Sequence, residues 1–132
     1  MARVPDLSIS PEKVFFIIAK SRQVESSAAG LEGDVDAGDD MAQDHSGRTD
    51  RAELSTFIRD LNEDEQVDLV ALMWLGRGDA GIENWRELRA EASRAHNKRT
   101  ASYLIGTPML ADYFEEALSG FGLSFEDFEE PL

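Results

Sequence analysis

The segment that most constrains this chain runs from Asn62 to Gly78, NEDEQVDLVALMWLGRG. Asn62 followed three residues later by Glu65 forms a capping box, in which the asparagine side chain accepts a backbone N–H and the glutamate reaches back. From Val67 to Leu75 only Asp68 interrupts an apolar run. A helix that is apolar all round must be surrounded, so this stretch demands a central helix with other elements packed about it. Gly76 and Gly78 supply its stop. No stretch of the chain alternates convincingly at period two, so the surrounding elements are helices too.

Those helices can be placed from their start and stop signals. Ser10-Pro11-Glu12 gives a capping serine, a proline at the first helical position and an acid at the positive dipole end. That helix should run to about Ser26, with its Val14–Ala19 segment deep in the core. A second resumes near Asp50 and carries Leu54, Phe57, Ile58 and Leu61 at helical spacing. After the central helix, the longest should run from about Ile82 to Ile105 and end at Gly106. Thr107-Pro108 then caps a helix carrying Met109, Leu110, Tyr113, Phe114 and Leu118, which stops at Gly120. Ser124 opens a last short turn with Phe125 and Phe128. The expectation is all-α: one domain over residues 1–132, a compact bundle of about five helices. A long mobile acidic loop (27–50) follows the first helix, and an acidic-aromatic tail (121–132) closes the chain.

Charge and cysteine content narrow the function classes. The sequence has no cysteine, so disulfides, thiol nucleophiles and thiolate metal sites are out. Its net charge of −14 is concentrated. Residues 27–50 hold seven acids against Arg48, and residues 111–132 hold seven acids and no base. Such a surface repels phosphate backbones and anionic membranes and favours a basic protein partner, so direct nucleic-acid binding is not expected. The run Val14–Ala19 is too short for a signal-peptide core or a membrane span, which points to a cytoplasmic protein.

Three stretches carry a family resemblance: Leu61–Gly78, Ala95–Pro108 and the opening Leu7–Val14. With these the chain resembles a family catalogued as domain of unknown function 3775, known mainly from proteobacteria. The resemblance brings no activity, cofactor or catalytic residue with it.

The stretch Ala95–Pro108, AHNKRTASYLIGTP, is basic in an acidic chain and holds one of its two histidines. On a continuous helix, His96, Arg99 and Tyr103 share the apolar face of Trp85, Leu88 and Ala92. Two readings follow. In the structural one, Arg99 lies along Trp85 or Tyr103 and pairs with Asp112 or Glu115, while His96 bonds a carbonyl or hydroxyl. In the functional one, Arg99 and Arg77 hold a small anion, with His96 as donor or base and Tyr103 beside them.

Other motifs lead less far. Gly33–Asp40 misses the calcium-loop pattern at three positions. Arg77-Gly78-Asp79 is better read as a helix cap and turn than as an adhesion tripeptide. Asp112, Glu115 and Glu116 lack the Glu-x-x-His pairs of a di-iron bundle, so no metal and no cofactor is expected. The pair of helices about Asn62 opens its second helix with three acids, wrong for reading DNA. Arg86, Arg89, Arg94, Lys98 and Arg99 interleave with Glu87 and Glu91, which suggests local salt bridges. The leading functional expectation is a non-enzymatic interaction or regulatory protein that engages a basic partner. A small-anion or enzyme site around His96 and Arg99 stands second, and an acidic mimic of nucleic acid third.

Overall fold

A computed structural model describes residues 7–33 and 40–123, with side chains placed except over 27–33 and 40–48. Among the described residues there are six α-helices and no strand: α1 (Pro11–Gly33), α2 (Asp40–Asp60), α3 (Glu63–Arg77), α4 (Trp85–Ala95), α5 (Thr100–Ile105) and α6 (Leu110–Gly120). A single 3-10 turn, Ile82–Asn84, leads into α4. The fold is all-α, as the sequence requires. The calcium-like Gly33–Asp40 stretch, most of the acidic 27–50 span and the tail beyond Leu123 lie outside the residues whose side chains are described.

Helix α3 is the central element. Val67, Leu69, Val70, Ala71, Leu72 and Met73 are all buried, and α3 packs on α4, α5 and α6 while α1 packs on α2 and α6. Its ends are set by the residues the sequence marks. Asn62 Oδ1 accepts from Glu65 N at 2.8 Å, and Asn62 N donates to Glu65 Oε1 at 3.0 Å, which completes the capping box. Gly78, at φ 96°, closes the other end. Gly76 stays inside the helix and has a different task. A Cβ built there would stand 1.8 Å from the Tyr113 carbonyl oxygen, so its missing side chain lets α6 approach α3.

The buried break in the apolar run, Asp68, is the tie between three parts of the chain. Its carboxylate accepts from the backbone N–H groups of Ser8 and Ile9 and from Arg89 Nε. A fully buried carboxylate is costly unless its lone pairs are filled, and here the N-terminal segment and α4 fill them. Burial nonetheless holds the Asp68 carboxyl above its ordinary value, with Arg89 and the two N–H groups pulling the other way.

The expected long helix from Ile82 to Ile105 is two helices. His96 adopts extended geometry (φ −64°, ψ 136°), and α5 begins at Thr100. The cause is local side-chain competition for backbone groups. Asn97 Oδ1 accepts from Arg99 N at 2.7 Å, Thr100 Oγ1 accepts from Asn97 N at 3.3 Å, and Thr100 Oγ1 donates to Asn97 O at 2.9 Å. Thr107 also departs from expectation. Its hydroxyl donates back to Tyr103 O at 2.8 Å, closing α5, and α6 starts after Met109, which sits left-handed at φ 63°. Phe121 is buried and meets Trp85 edge-on at 5.3 Å.

Candidate functional site

Breaking the helix at His96 separates the residues that a continuous helix would have aligned. His96 turns toward the start of α3, where its Nε2 donates to Gln66 Oε1 at 2.9 Å and its Nδ1 lies 3.7 Å from Glu63 Oε2. The Gln66 amide nitrogen in turn donates to Ile58 O and Leu61 O at 3.0 and 3.1 Å. His96 thus belongs to a clasp that holds the end of α4 to the α2–α3 corner. Arg99 is exposed, and its guanidinium makes no hydrogen bond or ion pair among the described residues. It does not reach Asp112 or Glu115. Arg22 of α1 takes both, at 2.9–3.0 Å, because α1 and not α5 runs beside α6. Nor do the basic residues of α4 pair mainly along their own helix. Arg89 goes to Asp68, and Arg94 approaches Glu91 only to 3.8 Å.

Arg77 and Tyr103 do come together. Both line an open cleft of about 430 Å³ between the end of α3, the following turn, α4 and α5. Trp74 and Tyr103 form one wall, joined by a hydrogen bond in which the indole N–H donates to the Tyr103 hydroxyl at 3.0 Å. Leu88 and Ala80 supply apolar surface, and Glu87 and Glu91 stand one turn apart on α4. Arg77 is bound bidentately to Asp79, with Nε and Nη2 donating to the two carboxylate oxygens at 3.2 and 2.7 Å. That pair closes over the left-handed Gly78, so the Arg-Gly-Asp triplet is a helix cap folded on itself. The fork to Asp79 raises the Arg77 pKa, with Tyr103 a smaller contributor.

The electrostatics of the cleft follow from its lining. One cation, Arg77, stands against three carboxylates, Asp79, Glu87 and Glu91, so the formal charge is −2. Arg77 and Asp79 largely satisfy each other. Glu87 has no partner among the described residues, and Glu91 has only the loose contact with Arg94. Chemically, the cleft offers aromatic surface beside negative charge that its surroundings neutralise only weakly, a combination suited to a cationic side chain. Trp74, Asp79, Glu87 and Glu91 were not among the candidate site residues; by pattern Asp79 belonged to a helix cap and turn, and Glu87 and Glu91 to local salt bridges. Their signal was the i, i+4 spacing of Glu87 and Glu91, which reads equally well as a solvated face.

No group of three or more His, Asp or Glu side chains that could hold a metal ion occurs among the described residues. None of their helices is long and apolar enough to cross a membrane. The molecule is therefore an all-helical bundle with an acidic-aromatic cleft at one end of its central helix. Residues 51–123, more than half the chain, match the family described as Protein of unknown function (DUF3775), and the chain belongs to it. The matched span includes Leu61–Gly78 and Ala95–Pro108 and all of the cleft; the opening Leu7–Val14 lies outside it. No curated protein and no solved structure matches the chain.

Proposed function

We propose that this protein is a non-enzymatic interaction or regulatory protein that engages a basic segment of a protein partner through the cleft at Trp74 and Tyr103. The observation that carries the reading is the pairing of that aromatic wall with Glu87 and Glu91, two carboxylates that no lysine or arginine within the cleft neutralises. A net charge of −14 would steer a basic partner toward the surface from a distance. One cationic side chain in such an open cleft contributes roughly 1–3 kcal/mol, from stacking and screened ion pairing. A partner therefore needs several such contacts to reach micromolar affinity, about 8 kcal/mol.

The small-anion reading has less to support it. An anion at Arg77 would have to displace Asp79 and would then face Glu87 and Glu91. His96 is engaged with Gln66 at a separate place.

The test is titration of labelled basic and acidic peptides followed by anisotropy, at low and physiological salt, with backbone NMR shifts to locate the contact. Basic peptides should bind, weaken as salt rises and shift residues of the cleft. Failure of every basic peptide to bind at low salt, or shifts centred away from the cleft, would refute the reading. Loss of the bound partner to competing DNA would point instead to a mimic of nucleic acid.

A further inference from the structure

Arginine and lysine are both basic, but the cleft does not treat them alike. Resting on the reading above, we infer that the cleft is an arginine subsite: it takes the guanidinium of an arginine side chain from a partner protein segment in preference to a lysine ammonium. Two observations combine. Glu87 and Glu91 lie one turn apart on α4, with Cβ atoms about 6 Å apart by helix geometry. A planar group with five donors can engage both carboxylates at once, whereas a compact ammonium holds one well. The Trp74–Tyr103 wall is fixed by its own hydrogen bond, so it presents ring surface without spending the indole N–H on the ligand. A guanidinium stacks on such surface and is more weakly hydrated than an ammonium, so it loses less on leaving water.

The cleft already displays the same chemistry internally. Arg77 meets Asp79 fork to fork, at half-exposed positions where a point charge would be held mainly by water. An incoming arginine adds a second guanidinium beside an aromatic wall, on the side that Glu87 and Glu91 leave negative. Charge complementarity defines the occupant: the cleft carries −2, and a single guanidinium leaves it at −1.

The experiment compares two short peptides of identical spacing, one with arginine and one with lysine at each basic position, together with free arginine. Binding is read by anisotropy and by isothermal titration on the full chain. The arginine peptide should bind about tenfold more tightly than the lysine peptide, the difference expected of a bidentate, stacked contact over a point charge. Free arginine should bind far more weakly than either, since the segment supplies the remaining contacts. The double variant Glu87→Gln, Glu91→Gln, at exposed positions outside the core, should shrink the preference to the part that stacking on Trp74 and Tyr103 supplies, about twofold. A control, Glu12→Gln with Glu116→Gln, removes the same charge elsewhere and should leave the preference intact. Equal affinity of the two peptides for the unaltered protein, or a preference undiminished in the cleft variant, would overturn the arginine subsite while a basic partner at this surface still stands. A peptide pair that both fail to bind would overturn the subsite and the basic-partner reading together.

Discussion

Replacing Asp68 with asparagine keeps the size of the side chain and removes its charge, and it should cost this fold about 3 kcal/mol. The carboxylate serves donors on two sides, with Ser8 and Ile9 N–H on one oxygen and Arg89 Nε on the other. An amide has one oxygen. If it turns toward Ser8 and Ile9, its NH2 faces the guanidinium, a donor against a donor. The charge-assisted bond is lost, about 1.5–3 kcal/mol, and a buried polar group is left unsatisfied, about 1–3 kcal/mol more. Arg89 keeps 28% of its side chain in water, so solvent recovers part of that sum. A loss near 3 kcal/mol is a large share of the 5–15 kcal/mol typical of a domain and should lower Tm by about 10 °C.

Urea unfolding at pH 7 measures the loss directly, and Arg89→Gln with the double variant completes a cycle. The expected coupling between the two side chains is about 2 kcal/mol. A loss under about 1 kcal/mol for Asp68→Asn, or a coupling near zero, would show that water already satisfies these groups and refute the reasoning. The pH dependence gives an independent check. Burial raises the folded-state pKa of Asp68, so the folded chain takes up this proton before the unfolded chain does. Its contribution to stability therefore grows as pH falls from the raised value toward the ordinary one. Asparagine has no such proton to gain, so the gap between the two proteins should widen over that acidic window.

Glu65 has the opposite sign. Lys13, 2.8 Å away, is the main cause that holds its pKa below the usual carboxylate range, with the Asn62 N–H adding to it. The stability it contributes is present above its unfolded-state pKa and is lost as pH falls through the lowered value. Glu65→Gln keeps an acceptor for Asn62 and loses the lysine, so it should be less stable at pH 7 and flatter on the acid limb of a stability–pH curve. Gly76→Ala should cost about 3 kcal/mol or more by urea unfolding, because the new methyl meets the Tyr113 backbone and not a movable side chain. Met109→Gly should raise Tm slightly, worth about 0.5 kcal/mol, since left-handed geometry costs a side-chain-bearing residue more than glycine loses in unfolded-state entropy.

What the sequence made legible was what local pattern controls. Ser10, Asn62, Glu65 and Gly78 cap the helices they mark, since a cap acts within three or four residues of itself. The all-round apolar run at Val67 located the central helix because burial on every side leaves no other place for it. The break at His96 was missed for the converse reason. Helical periodicity continues through residues 82–105, and the decision to stop lay with Asn97 and Thr100, whose side chains bind backbone groups as readily as a helix does.

The arginines show where such reasoning runs out. Asp68 in an apolar helix implied that some donor must reach it, yet five arginine or lysine positions in residues 86–99 were equally available by pattern. Arg89 is chosen by how α4 crosses α3, and Arg22 takes Asp112 and Glu115 because α1 lies along α6. Partner choice among long cationic side chains is a tertiary property. The same logic built the cleft: once Arg89 turns inward and Arg77 folds onto Asp79, Glu87 and Glu91 lose the neighbours that a helix diagram would give them. The charge they keep beside Trp74 and Tyr103, Glu87 without a partner among the described residues and Glu91 with only the 3.8 Å contact to Arg94, is what remains when the other cations are committed elsewhere, and it is that remainder which a partner's basic side chain can fill.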